Sequence, residues 1–179
     1  MKYETIVNQL VIVAERFELR PLRVSDAGQI GMNAGDVRVA RFTRSIPHPL
    51  PPGATEALIA RAQAEGRSED IWAIDGTKAG GSEVMGLISL EPVDDGQSEI
   101  AYWVAPAYWN TGVASAAVEA LLAANPHRAR TIFATVFQDN AASARVLTNC
   151  GFQYLGDAEA FSVARGAKVA TWTYSKKMI

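Results

Sequence analysis

The hydrophobic period changes repeatedly along this chain, and each change marks an element. From Arg16 to Arg20 polar and apolar residues alternate up to Pro21, the two-residue period of a strand that ends at a proline. Ser25 then offers an N-cap to a short helix, with Asp26 in its first turn. Pro47, Pro49, Pro51 and Pro52 make residues 46–53 a loop. Thr55–Glu65 has helical composition, with Gly66 at the C′ position. Ile71–Ile74 and Val84–Leu90 are apolar runs of strand length around a glycine-rich hairpin loop. Within that loop no lysine or helix follows Gly80-Gly81, so the pair reads as a turn rather than a phosphate loop. Ser98–Val104 is the next strand.

Gly112–Ala124 is the clearest helix. Val113, Ala117, Ala120, Leu121 and Ala124 fall on one continuous face, and Asn125-Pro126 stops it. Thr131–Phe137, β-branched and aromatic, reads as a buried strand. Asn140–Cys150 is a helix closed by Gly151, and two strands follow near Phe152–Val163 and Val169–Lys176. Strands and helices in this order predict an α/β or α+β fold, a mixed sheet with helices on both faces.

The 179 residues suit one domain, 1–179, whose first 14 residues are a possible N-terminal extension forming an extra strand or a loose arm. A net charge of −2 offers no electrostatic reason to expect nucleic acid or an anionic membrane as partner. The apolar run Leu10–Ala14 is shorter than a signal-peptide core, and no stretch has the length of a membrane span. Cys150 is the single cysteine, which points to a reducing, cytoplasmic setting. It reads as a small buried apolar residue. His48 and His127 lack companions at ligand spacing, so no metal is expected.

The informative stretch runs from Ala101 to Ser115, where a strand passes through a short turn into a helix opened by Gly112 and small residues. Such a helix start exposes unpaired N–H groups at the positive end of the helix dipole, and Gly112 and Ala114 leave room for a phosphate to approach.

Here the chain resembles a known family. Trp109-Asn110-Thr111-Gly112-Val113-Ala114 is similar to the acyl-CoA loop of the GNAT acetyltransferases, and Glu99–Pro106 to the strand that opens around acetyl-CoA. Asn140-Ala-Ala-Ser143 with Cys150-Gly151-Phe152 resembles a later signature. Phe17–Leu22 with Ser25-Asp26-Ala27 resembles the opening of the Rim-type branch, which acetylates protein N-termini.

The resemblance implies a GNAT fold, with a mostly antiparallel sheet of about six or seven strands and a splayed pair holding acyl-CoA. It implies acetyl transfer from acetyl-CoA to a primary amine by direct attack, the acceptor being a protein N-terminus or a small molecule, and a possible homodimer. A non-catalytic acyl-CoA-binding protein is the alternative class. Trp109 to Ala114 would form the cofactor loop, with the backbone N–H groups of Thr111 to Ala114 holding the pyrophosphate; the Val104 backbone would pair with pantetheine, and Asn140 and Ser143 would flank the arm and the thioester sulfur. Leu147 stands where many members carry a tyrosine acid, so Ser143 is the candidate donor to the thiolate.

The attacking amine must be neutral. At pH 7 that holds for ~0.04% of an ordinary lysine but ~10–20% of an α-amino group. Glu99 is the candidate general base, its alternative being a solvated strand residue beside Asp94 and Asp95. Alternation puts Tyr102 on the opposite face from Glu99, so the two do not share one cleft unless a bulge intervenes, and Tyr102 reads as a packing residue. Asp157 and Glu159 are reserve acid–base candidates. Arg38, Arg41 and Arg44, three residues apart, read as a solvated helix face, or as a basic strip for an acidic acceptor or the CoA phosphates.

Overall fold

The computed structural model describes residues 9–179. The chain runs through Ile12–Val13 (β1), Glu18–Pro21 (β2), Ala27–Ala34 (α1), Val37–Ala40 (α2), Ala54–Gln63 (α3), Asp70–Asp75 (β3), Gly86–Asp94 (β4) and Gln97–Val104 (β5). Then come Val113–Ala124 (α4), Thr131–Phe137 (β6), Ala141–Asn149 (α5), Gln153–Ser162 (β7) and Ala167–Lys177 (β8). Of the possible N-terminal extension, residues 1–8 lie outside the described residues. Ile12–Val13 pairs with β2 as an outer strand, which brings the sheet to eight strands rather than six or seven.

The sheet order is β1-β2-β3-β4-β5-β6-β8-β7. Neighbours are antiparallel except β5 and β6, which run parallel. Strand alternation divides the core. Trp72, Ile74, Ile88, Leu90 and Ile100 point to one face, where they meet Val118 and Leu121 of α4 and Leu147 of α5. Ile71, Ala73 and Leu87 point to the other, against Ile30 of α1 and Ile59 of α3.

A buried ion cluster locks the first helices to the sheet. Arg20 is 4% exposed, Asp26 1% and Asp75 9%. The Arg20 guanidinium donates to both Asp26 oxygens at 2.9 Å, to Asp75 at 2.8 Å, and to the Pro21 and Glu83 carbonyls at 3.1 Å. Asp26 also accepts from the Arg23 N–H at 2.7 Å. The carboxylate at the start of α1 is therefore Asp26, and Ser25 is not the cap. A 3-10 turn over Val24–Asp26 precedes the helix. α3 likewise ends in an extended Ala64, so Gly66 lies beyond the helix end.

The expected helix face of arginines is not formed. α2 has four residues, and the chain leaves it before Arg44. Each arginine instead has its own partner: Arg38 binds Asp36, Arg41 binds Asp139, and Arg44 binds Glu99. Arg165, in the β7–β8 turn, grips Asp139 through both nitrogens at 2.7 and 3.0 Å and donates to the Arg41 carbonyl at 2.8 Å. Val163 N–H bonds to the Arg44 carbonyl at 3.1 Å. These contacts strap residues 41–44 across the end of the sheet where β6 meets α5.

Candidate active site

β5 and β6 pair only over Gln97–Glu99 against Thr131–Phe133. Beyond that point each strand continues, held on its outer side by β4 or β8, and the gap between them opens into a cleft of about 980 Å³. Ala105 N–H bonds to the Met85 carbonyl, so by ladder alternation the backbone groups of Tyr102 and Val104 face the gap. The Val104 carbonyl is already taken by the Trp109 indole N–H at 2.7 Å, and its N–H remains for an added strand.

The cleft passes through the sheet, so both faces of β5 border it. Glu99 and Tyr102 therefore line one cleft from opposite sides, against the expectation that alternation would separate them. On the α1–α3 side, Glu99 is paired with Arg44. Glu91 lies directly across β4–β5 from Glu99, and Glu69, one residue ahead of β3, lies beside Glu91. Burial, then the Glu91 charge, pushes the Glu69 carboxyl up. On the α4–α5 side, the Tyr102 hydroxyl is 2.7 Å from Ser143 Oγ, and burial pushes that phenol up to about 12.

At one end of the cleft lies the start of α4. Asn110 (φ 59°) and Gly112 (φ 82°) take left-handed backbone to turn the chain into the helix. The first helical bond runs from Ala116 N–H to the Gly112 carbonyl, which leaves the amides of Val113, Ala114 and Ser115 without an intrahelical partner. All three residues line the cleft, with Asn110 and Gly112. Ser115 extends the expected cradle by one residue. Thr111 does not line it, and its hydroxyl bonds to the Tyr108 carbonyl. Asn140 caps α5, accepting from Ser143 N–H at 3.3 Å.

The acetyltransferase (GNAT) domain family matches residues 16–153. This chain belongs to the GNAT acetyltransferase family. Solved structures of the same fold include the microcin C7 self-immunity acetyltransferase MccE in complex with acetyl-CoA and AMP. It has a TM-score of 0.79 at 14% identity, over 92% of this chain and 94% of that one. Mycobacterium smegmatis RimJ in complex with CoA-disulfide has a TM-score of 0.79 at 20% identity, over 93% and 87%. The ribosomal-protein-S5-alanine acetyltransferase from Vibrio fischeri has a TM-score of 0.76 at 18% identity, over 94% and 97%. No curated protein sequence matches the chain.

Other candidates stand away from the cleft of this GNAT domain. Asp157 and Glu159 sit exposed on β7, opposite Trp172 and Ala170 of β8, so the expected acid–base reserve is not on the cleft wall. His127 bridges Asp70 at 2.7 Å and Ser98 at 3.0 Å, tying the ends of β3 and β5. Among the described residues no group of three or more His, Cys, Asp or Glu is arranged to hold a metal. Cys150 is buried, and burial, then the Glu119 charge, pushes its thiol up. Glu69 and Glu91 are cleft residues that the sequence did not signal, and Arg44, read there as part of a basic strip, stands instead as the partner of Glu99. Their partners lie on other strands, and no local spacing signals them.

Gly112 has no atom within 4 Å of where a Cβ would sit, so an alanine there meets strain in the backbone and no clash. Gly112→Ala is expected to cost about 1–2 kcal/mol from the left-handed conformation. Urea unfolding should report it as a lower midpoint with an unchanged slope.

Proposed function

We propose that this GNAT domain moves the acetyl group of acetyl-CoA to a primary amine by direct attack in a ternary complex, with a peptide or protein N-terminus as acceptor. The observation that carries this reading is the gap between β5 and β6, with free helix amides at one end and a carboxylate on its far side. The amides of Val113, Ala114 and Ser115, at the helix start opened by Gly112, would hold the pyrophosphate. Arg38, 5.6 Å over the Trp109 ring, adds a cation to the cleft wall. The Val104 N–H would pair with the pantetheine arm, beside Asn140, and bring the thioester sulfur towards Ser143.

Glu99 would take the proton from the amine, directly after exchanging Arg44 for the substrate or through a water. Glu69, Glu91 and Glu99 across three neighbouring strands favour an ammonium on this side of the sheet. An α-amino group, already ~10–20% neutral at pH 7, suits a site with one base at hand. We also propose that residues 1–179 act as one domain in the cytoplasm, where the lone Cys150 thiol stays reduced.

Thiol release measured with short peptides and with small amines tests the acceptor. Turnover of peptides is expected; turnover of small amines alone would overturn the peptide preference. Acetyl-CoA at about a hundredfold over its Kd should stabilise the fold by about 2.7 kcal/mol. No thermal shift and no thiol release together would overturn the reading as a whole.

A further inference from the structure

The Tyr102 side chain reaches from β5 across the gap to α5, and its hydroxyl stands 2.7 Å from Ser143 Oγ. The other acceptor near the phenol is the Ser143 carbonyl at 3.4 Å, which is the weaker geometry. Acidity sets the direction of the short bond. A phenol gives up its proton far more readily than an aliphatic alcohol, so Tyr102 donates and Ser143 Oγ accepts. With that lone pair engaged, the Ser143 hydroxyl hydrogen is free to turn into the cleft. Leu147, fully buried one turn further along α5, supplies no hydroxyl there.

We propose that Tyr102 is a positioning residue for the leaving group: its hydroxyl donates to Ser143 Oγ and so aims the Ser143 hydroxyl at the departing thiolate sulfur. The inference rests on the reaction proposed above. When the C–S bond breaks, its electron pair goes to sulfur, and the Ser143 O–H hydrogen-bonds to that new charge. The proton lost by the attacking nitrogen equals the one finally gained by the thiol. Tyr102 and Ser143 therefore end each turnover with the protons they began with. Burial, which holds the phenol protonated at neutral pH, keeps Tyr102 a donor throughout.

Single-turnover thiol release from acetyl-CoA, with a peptide that the wild type acetylates, tests this in Tyr102→Phe, Ser143→Ala and the double variant. Tyr102→Phe keeps the buried ring and removes only the hydroxyl. Ser143→Ala is expected to slow release by about 100-fold and Tyr102→Phe by about tenfold, with acetyl-CoA affinity unchanged. The double variant should be no slower than Ser143→Ala within about threefold, because the phenol acts only through the serine. Ser143→Thr, which keeps a hydroxyl, should retain most of the rate. A wild-type rate in Tyr102→Phe, losses that multiply in the double variant, or a loss confined to acetyl-CoA affinity or folding would overturn the inference alone. A wild type that releases no thiol with any amine overturns the proposed reaction and this inference with it.

Discussion

Replacing Arg20 with methionine is expected to destabilise the fold by about 3–5 kcal/mol, because it leaves two buried carboxylates without their cation. The guanidinium uses its nitrogens on Asp26, Asp75 and two backbone carbonyls, and no water-filled space is needed to satisfy it. For a domain of this size the loss corresponds to a fall in Tm on the order of 10 °C. The pH dependence identifies the cause. Burial by itself would raise the Asp75 carboxyl, but Arg20 and the Thr77 N–H and hydroxyl outweigh it and hold it below the usual range. A carboxylate lowered in the folded state stabilises above its unfolded pKa of about 3.9, and that contribution disappears as pH falls through the folded value. In Arg20→Met only desolvation and the bonds from Thr77 remain, so Asp75 should shift upward and protonate earlier. The gap between wild type and variant should then narrow as pH falls below neutrality. A gap that is constant with pH would mean that lost packing, not stranded charge, is what the substitution removes.

Glu99→Gln is expected to lower kcat about 100-fold at neutral pH, the size of a lost general base. The deficit should shrink as pH rises, since each unit below the acceptor's own pKa brings about ten times more neutral amine. The contact between Glu99 and Arg44 calls for a companion variant. Arg44→Ala leaves the carboxylate in place and removes its cation. If Glu99 serves as base, Arg44→Ala should keep far more activity than Glu99→Gln. Equal losses would show that the pair matters only for holding residues 41–44 against the sheet, and would remove Glu99 from the chemistry.

The elements that local pattern could read were those whose signals lie within a turn or two of chain. Thr131–Phe137 forms β6 over the span its β-branched run predicts. Asn140 and Gly151 bracket α5 as cap and left-handed terminus. Five of the six residues from Trp109 to Ala114 line the cleft, all but Thr111, as a Gly-opened helix start beside it places them. Ser115 was missed because the free amides extend through the third residue of the helix, one beyond the small-residue motif. Other features depend on partners far apart in sequence. Arg20 meets Asp75 and Arg44 meets Glu99 over 55 residues, and Tyr102 meets Ser143 over 41. A period of 2 or 3.6 carries no information at that range. Tyr102 also shows how a correct local rule can mislead. Alternation does put it opposite Glu99, but the conclusion assumed a closed sheet, and the gap beside β5 makes both faces walls of one cleft.

That gap also bears on self-association. A strand edge with free N–H and C=O groups is ordinarily an aggregation hazard, because any other extended chain can add to it. Here two such edges lie in the middle of the sheet, flanked by β4 and β8 and roofed by α4 and α5. A whole polypeptide strand with side chains on both faces would have to displace those helices to reach them. A slender, nearly unbranched amide chain such as pantetheine would not. The outer edges of the sheet, β1 and β7, remain ordinary edges, while these two inner edges are shielded from other copies of the chain and suit a slender ligand.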